Sequence, residues 1–447
     1  MQTDLSNLQQ DTIHLLNNIS TLFGCYQKDG RNPYRDYQKQ VDYQHQLVQD
    51  LELRVTIVAP MNAGKSTILN SIVGQELVPS HTAAMTTLPT ELILNANLTE
   101  PVLTLDSQLC AESQNLIKKL NDRINQQGKK WANAQIKKLP HLEELLNHIQ
   151  TKFQIKEKVT GSKAIVETLK KLNHLVRLHH LLIPDTKPPK ITTVPRIETP
   201  FYNPFLHSTL FTSLQKQNKL VFVDTPGPNE AVGEKLGLVK IVEEQLKESS
   251  IVLIVLDFSS LYAEAEEKII EEVKKVIQLR GKENLYVLVN KVDQRSGNPE
   301  DTMTPEQIQA TVTTRFGIDN NRIFEISAIN ALAATNFLQE VQQYPDKPVE
   351  QLETATFLAQ KVFGRRYQRE LKQKTIQELK SEAEDLWNTD SGFPLFLETA
   401  IRTLMTESTH RCIRNALTIG QNSLVELSKY PQFDSSSTRK QDLTLYK

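Results

Sequence analysis

The sequence predicts an α/β fold in which a mostly parallel sheet is flanked at both chain ends by helices. Between residues 54 and 334, short runs rich in Val, Ile and Leu alternate with longer helical patterns. This alternation is typical of a parallel sheet that is covered on both faces. The composition is that of a folded globular chain, because 39% of the 447 residues are hydrophobic and 23% are charged.

Two helices are predicted before the sheet begins. Apolar side chains recur every three or four positions from Leu5 to Leu22 and again from Tyr37 to Leu51. Gly30 and Pro33 separate the two patterns, and both residue types disfavour a continuous helix. We therefore expect residues 1–50 to form a helical region of their own.

The sheet itself is predicted from short apolar runs of strand length. A long polar segment, about residues 106–190, interrupts them and has the pattern of a helical insertion. The strand candidates are Arg54–Ala59, Glu91–Asn95, Ile191–Ile197, Leu220–Asp224, Ile251–Asp257, Leu285–Asn290 and Arg322–Ser327.

Helices are predicted again after the last strand, over residues 341–430. An apolar stripe from Leu397 to Leu427 indicates one helix of about 35 residues. Trp387 and the segment 391–394 are expected to pack the sheet domain against these helices rather than to perform chemistry. Residues 431–447 are polar and are expected to form a tail.

Charge, cysteine content and apolar run length exclude several classes of protein. Lys and Arg total 52 against 53 for Asp and Glu, so bulk charge does not favour coating of nucleic acid. The three cysteines are far apart, which argues against a disulfide framework or a zinc site. The sequence carries no signal-peptide pattern and no apolar run of bilayer-spanning length, so we expect a cytoplasmic protein.

A phosphate-binding loop is predicted directly after the first strand. Residues 59–66 read APMNAGKS, with Ala59 in place of the usual first glycine and a helical run behind them. Such a loop points backbone N–H groups at phosphate oxygens, and the following helix N-terminus favours negative charge. Lys65 is expected to bridge the β- and γ-phosphates and Ser66 to bind Mg²⁺. The residues predicted to contact nucleotide here are Asn62, Ala63, Gly64, Lys65, Ser66 and Thr67.

Three further motifs each follow the end of a predicted strand. Residues 224–227 read DTPG, so that Asp224 can hold Mg²⁺ through water and the Gly227 amide can sense the γ-phosphate. Residues 290–293 read NKVD, comprising Asn290, Lys291 and an Asp293 carboxylate that can accept the N1–H and exocyclic amine of guanine. Ser327 and Ala328 follow the last strand and are expected to support guanine O6 through the backbone. In this order and context, the motifs predict binding of GTP or GDP with Mg²⁺.

A threonine of the first switch segment is expected to complete the magnesium site. Its hydroxyl would reach Mg²⁺ and its carbonyl would help to orient the attacking water. The candidates lie in residues 81–89, with Thr86 favoured over Thr87 and Thr82.

The catalytic group is harder to assign than the nucleotide site. Many GTPases place a glutamine after the DxxG glycine to orient water, but here Pro228 occupies that position. Catalysis must therefore be slow, or help must come from Asn62 in the phosphate loop, from Thr86, or from a second molecule that docks across the nucleotide.

These motifs together resemble those of bacterial dynamin-like proteins in the dynamin superfamily. The resemblance rests on APMNAGKST, MTTLPTELIL, VDTPGPNEA, LYVLVNKVD and WNTDSGFPLFL and covers about residues 50–430. It includes the clamp-binding dynamin-like proteins of enterobacteria. It implies a dynamin-type GTPase domain over 51–340, a helical neck formed by 1–50 and 341–430, and hydrolysis stimulated by head-to-head dimerisation. The family roles fall on Lys65, Ser66, Thr86, Asp224, Gly227, Asn290 and Asp293.

Two departures from the family pattern leave alternatives open. Eukaryotic dynamins have Gln and Ser where this chain has Met61 and Asn62, so assistance by a monovalent cation stays open. The sequence also stops soon after one long helix, whereas family members usually continue into a stalk with a membrane-binding tip. The chain is therefore expected to be a truncated or split form, or to work without a tip.

The resemblance implies several binding partners for this chain. One is a second copy of the chain, in a GTP-dependent head dimer. The others are a membrane surface touched peripherally, a replication or nucleoprotein partner at the nucleoid, and a companion dynamin-like chain. The leading hypothesis is a mechanochemical GTPase, and the alternatives are a slow GTP-dependent switch that recruits a partner such as the replication clamp, and the head subunit of a split pair.

Overall fold

The computed structural model describes most of the chain. Five predicted features lie outside the described residues: the switch candidates Thr82, Thr86 and Thr87, the pair Gly227–Pro228, Met61, the start of the strand predicted at 191, and the tail 431–447. The described residues are 2–25, 32–60, 62–79, 88–95, 97–149, 154–184, 194–203, 219–226, 245–246, 248–261, 274, 282–295 and 303–428.

The chain divides into two compact units. The smaller unit comprises Met1–Leu53 and Glu407–Lys447, and the larger comprises Arg54–Thr406. Of the helices within the described residues, none is long and apolar enough to cross a lipid bilayer. The division into functional domains stays a prediction.

Helices from both chain ends build the smaller unit. Helix α1 spans Gln2–Cys25 and α2 spans Arg35–Asp50, as the apolar periodicity predicts. They pack with the last part of a long C-terminal helix around a core that includes Leu16, Phe23 and Ala416. Burial, followed by the nearby Glu52 carboxylate, raises the pKa of Cys412 in this core to about 12.

One mixed, mostly parallel sheet forms the centre of the larger unit. Among the described residues its strands run in the order β4-β3-β5-β2-β6-β1-β7-β8-β9. Antiparallel pairs occur only where β3 meets β4 and β5, and where β2 meets β6, among the pairings described. The strands are β1 Glu52–Val58, β2 Thr90–Leu94, β3 Val102–Thr104, β4 Lys158–Thr160, β5 Arg196–Thr199, β6 Lys219–Asp224, β7 Ile251–Asp257, β8 Leu285–Asn290 and β9 Ile323–Ile326.

The strand predictions hold best at the centre of the sheet. Strands β7 and β8 match their predicted bounds, and every residue of β1, β7 and β8 is buried, as expected for strands covered on both faces. The prediction missed β3 and β4, which contain three residues each and are too short to show a period. The strand predicted at Ile191–Ile197 lies instead at Arg196–Thr199 within the described residues.

Helices fill the connections, including the predicted insertion. The described residues of that insertion contain four α-helices, a short 3-10 helix at Pro140–Leu142, and β4. A π-helical turn at Leu397–Ile401 joins α13 to α14, so the predicted long C-terminal helix contains one local distortion. The helices are α3 Lys65–Val73, α4 Ser107–Gln127, α5 Lys129–Gln135, α6 Glu143–Ile149, α7 Ser162–Leu182, α8 Pro305–Phe316, α9 Ala328–Gln343, α10 Ala355–Phe363, α11 Tyr367–Leu371, α12 Ile376–Asp385, α13 Phe393–Phe396 and α14 Arg402–Ser428.

Candidate nucleotide-binding site

The predicted motifs meet at the carboxyl edge of the sheet. Strands β1, β6, β8 and β9 all end there, and each is followed by one of the motifs. The register places Asp257 opposite Asn290 and Asn290 opposite Ile326. Open α/β sheets bind ligands outside the carboxyl ends of their strands, so this edge is the candidate site.

The phosphate-binding loop leaves β1 and turns sharply into α3. Asn62 has a φ of 65°, and Gly64 caps the helix with a φ of 95°. The loop closes on itself where the Ala63 N–H donates to the Pro60 carbonyl at 3.2 Å. Lys65 is the first helical residue, and backbone N–H groups at a helix N-terminus favour an anion there. The backbone thus has the form that phosphate binding needs.

Oxygen ligands suited to Mg²⁺ come together beside this loop. The Ser66 hydroxyl lies 3.2 Å from Oδ2 of Asp224, which is almost fully buried at the end of β6. Next to it, the Thr225 hydroxyl donates to the Ile57 carbonyl at 2.7 Å and so ties β6 to β1. Hydroxyl and carboxylate oxygens are the ligands Mg²⁺ prefers, so Ser66 and Asp224 fit this ion.

Asn290 joins the phosphate loop to the loop after β9. Its amide Nδ2 donates to the Ala63 carbonyl at 2.8 Å, and its Oδ1 accepts the Ala328 N–H at 3.0 Å. A Cβ at Gly64 would overlap the Asn290 amide nitrogen, which explains why the loop carries glycine there. One buried side chain therefore sets the spacing between the phosphate and guanine ends of the site.

The guanine end is built from the exposed Asp293 and its neighbours. The Ser327 hydroxyl donates to Oδ1 of Asp293 at 2.6 Å, which fixes the direction of the carboxylate. Ser327 also caps α9, where its hydroxyl accepts the Asn330 N–H at 3.4 Å. A carboxylate held in this way can accept two parallel N–H donors from one edge of a ring.

Asp257 also lies at this edge, although none of the sequence motifs includes it. Its Oδ2 lies 2.6 Å from Nζ of Lys291, and its Oδ1 accepts the Ser259 N–H at 3.0 Å. Lys291 has a left-handed backbone with a φ of 70°, so the ion pair also holds an uncommon loop geometry. The sequence signal that could have identified Asp257 is its position at the end of the predicted strand Ile251–Asp257. The strand pairing then places it opposite Asn290.

Most predicted site residues thus lie in two neighbouring groups at this edge. Residues 62–67 and Asp224 form the phosphate end, and Asn290, Lys291, Asp293, Ser327 and Ala328 form the guanine end. Thr86 and Gly227 lie outside the described residues. The functional roles of all these residues stay predictions.

Comparison with known proteins shows to which family the residues of this edge are similar. The family model described as "Dynamin family" matches residues 55–292, which contain both the phosphate loop and Asn290. The protein named "Clamp-binding protein CrfC", from Escherichia coli and from its strain K12, is 30% identical over 373 residues. The alignment covers 82% of this chain and 48% of the relative, so the chain spans about half the length of the curated relatives it matches.

Solved structures that match the chain include two chains of an oligomerised bacterial dynamin pair, described as a mechanism for the long-range sensing and tethering of membranes. They are each 16% identical, with TM-scores of 0.34 and 0.35, and cover 95% and 96% of this chain and 58% and 65% of their own. Aquifex aeolicus Era bound to GDP and AlF4⁻ matches at 13% identity and a TM-score of 0.29, over 66% of this chain and 56% of Era.

Proposed function

This chain belongs to the dynamin family of GTPases, and on that premise we propose that it binds and hydrolyses GTP through the pairing of two heads. The observation that carries the proposal is the gathering of the phosphate and guanine motifs at one edge of the sheet. Asn290 supports it most directly, because its side chain bonds to both loops.

Each end of the site has a separate task in this proposal. Lys65 and the N-terminus of α3 hold the β- and γ-phosphates, while Ser66 and Asp224 hold Mg²⁺. The bound ion neutralises charge on the phosphates. Asp293 accepts hydrogen bonds from the two N–H donors of guanine, which adenine does not present together. Lys291, two residues before Asp293, is held in place by its ion pair with Asp257. GTP is therefore selected over ATP at the guanine end.

Catalysis is the step for which a second head is proposed. Pro228 follows Gly227 and has no side-chain donor or acceptor with which to orient water. Asn62 is exposed in the phosphate loop and can contribute its amide oxygen or nitrogen. A second copy that docks across the nucleotide would exclude bulk water and supply groups that orient the attacking water. Thr86 is proposed as the switch residue that contacts the ion and the attacking water.

The target of this GTPase is proposed as a membrane surface or a nucleoprotein. The relative that carries the name clamp-binding protein supports the second, with the replication clamp as the partner. The same similarity favours a second candidate function, in which the chain is a slow GTP-dependent switch that recruits that partner. A companion dynamin-like chain is the remaining proposed partner.

Turnover per chain, measured over a wide range of protein concentration, tests the proposal. Lys65→Ala is the blank, because it removes the phosphate-contacting cation. Turnover per chain that rises with concentration is the expected result, since two heads would complete each other's sites. Slow turnover that does not change with concentration, together with intact GTP binding, would overturn head pairing and favour the switch.

A further inference from the structure

A late segment of the chain contacts the loop that carries the guanine end of the site. The carbonyl oxygen of Ser391 accepts the backbone N–H of Ser327 at 2.8 Å. Both serines are fully buried. No nucleotide-binding motif includes Ser391, and the contact brings the segment between α12 and α13 directly under the guanine loop.

This contact extends to the carboxylate that is proposed to recognise guanine. The Ser327 N–H donates to the Ser391 carbonyl at 2.8 Å, and the Ser327 hydroxyl donates to Asp293 at 2.6 Å. The backbone of Ser327 is thus fixed by Ser391, and the side chain of Ser327 fixes Asp293. A shift of Ser391 would move the donor that sets the direction of the carboxylate.

Steric fit holds the late segment against the sheet. Gly392 has a φ of 67°, and a Cβ there would overlap the Glu325 carbonyl oxygen and lie 3.3 Å from Cα of Ile326. Only glycine allows the turn to approach β9 this closely without displacement. The approach brings the turn within hydrogen-bonding distance of Ser327.

Hydrogen bonds and aromatic packing make the turn rigid. The Ser391 hydroxyl donates to the Trp387 carbonyl at 2.5 Å and accepts the Phe393 N–H at 3.1 Å. The Trp387 and Phe393 rings lie 5.7 Å apart, and Phe396 meets Phe324 of β9 at 5.6 Å. These contacts lie within the larger unit. They place the turn against β9 of the sheet, while its expected packing against the neck helices stays a prediction.

We propose that Ser391 and Gly392 are positioning residues for guanine recognition, because they hold Ser327 in the place from which it aims the Asp293 carboxylate. The inference rests on the proposed binding of guanine nucleotides. It assigns base selectivity in part to a segment that lies far along the chain from the NKVD motif. Its link to the phosphate end is indirect, since Asn290 bonds both to the Ala63 carbonyl and to the N–H of Ala328, the residue after Ser327.

The substitution Gly392→Ala tests this inference with a matched control. Gly364 also has a left-handed backbone, with a φ of 54°, but a Cβ there meets no atom within 4 Å. Gly364 has a ψ of -130° and Gly392 a ψ of -4°, so Gly364→Ala adds backbone strain of its own at positive φ, without displacing any neighbour. The two variants separate the steric effect at β9 from the general cost of alanine at positive φ.

The readout is the ratio of the dissociation constants for IDP and GDP in the full chain. Inosine lacks the exocyclic amine of guanine, so the ratio reports on the Asp293 contact and not on the phosphates. We expect Gly392→Ala to lower the ratio about tenfold, because the substitution would misalign the hydrogen bond between the exocyclic amine of guanine and the Asp293 carboxylate. Gly364→Ala should leave the ratio unchanged.

The outcomes distinguish this inference from the proposed function. Equal binding of IDP and GDP by the unsubstituted chain would overturn guanine recognition itself. A normal ratio in a folded Gly392→Ala chain would overturn the positioning role alone. If Gly392→Ala does not fold, Ser391→Ala replaces it as the test variant. Ser391→Ala keeps the glycine and removes the hydrogen bonds of the Ser391 hydroxyl with Trp387 and Phe393. A ratio lowered about threefold in Ser391→Ala supports the inference, and an unchanged ratio contradicts it.

Discussion

The phosphate end and the guanine end of the site are assembled in different ways. The phosphate end comes mainly from one continuous stretch, residues 62–67, whose geometry follows from a loop and the start of a helix. The guanine end brings together Asp293, Ser327 and Ser391, which three separate segments supply. We infer that the first end is defined by local sequence, whereas the second depends on tertiary packing.

The largest effect expected on the phosphate end follows Lys65→Ala. Loss of a cation aimed at the transferred phosphoryl group should lower GTP turnover at least about 100-fold. The ratio of the IDP and GDP dissociation constants should stay unchanged, because Lys65 does not approach the base. Single-turnover kinetics and nucleotide titration measure the two quantities, with the exposed Lys372→Ala as the control. A changed base preference would show that the two ends are not separable.

Asp293→Ala is the reciprocal change at the guanine end. Two hydrogen bonds to a charged acceptor are lost, so the dissociation constant for GDP should rise about 100-fold. The dissociation constant for IDP should rise less, because IDP has one N–H donor fewer for the carboxylate to accept. Titration with fluorescent nucleotide measures both, and Asp346→Ala removes a carboxylate elsewhere on the surface for comparison. Equal losses for the two nucleotides would contradict the role given to Asp293.

Asp257→Asn tests a smaller contribution at the guanine end. The ion pair with Lys291 would become a neutral hydrogen bond, and the side chain would remain nearly the same size. We expect GDP affinity to fall about threefold to tenfold, which corresponds to about 1 kcal/mol. GDP dissociation rates at low and high salt provide the measurement. If the variant releases GDP at the wild-type rate at both salt concentrations, Asp257 does not contribute to nucleotide binding.

Sequence patterns predict the phosphate end more fully than the guanine end, for physical reasons. A phosphate loop uses backbone donors of adjacent residues, so the spacing of Gly64, Lys65 and Ser66 is sufficient to locate it. The fully buried β7 and β8 were likewise found from apolar runs alone. The carbonyl of Ser391 has no signature in sequence, because any residue type provides one, and its contact with Ser327 exists only after β9 and the late turn have packed.

The smallest effect on nucleotide binding is expected for a change remote from both ends. Glu340 accepts hydrogen bonds from the Thr354 N–H and hydroxyl at 2.9 and 2.7 Å and from Lys347 at 2.9 Å. Burial opposes ionisation, but these bonds, led by the Thr354 hydroxyl, lower the pKa of Glu340 to about 2. Glu340→Gln should reduce the free energy of unfolding by about 2 kcal/mol at neutral pH and leave both nucleotide affinities unchanged.

The pH dependence of unfolding provides the matched measurement for Glu340. Because the folded pKa lies below the ordinary value of 4.5, the stabilisation is complete above that value and is lost as the pH falls towards about 2. The difference in unfolding free energy between the wild type and Glu340→Gln should therefore shrink across this interval. A constant difference would show that the charge of Glu340 does not contribute.

The most direct test of the account is titration of the full chain with GDP and ADP in the presence of Mg²⁺. The two nucleotides share their phosphates and differ only in the base, so the comparison asks whether the guanine end works as a unit with the phosphate end. The account predicts that GDP binds at least about 100-fold more tightly than ADP, because adenine leaves the Asp293 carboxylate without its two donors. Equal affinity for the two nucleotides would contradict it.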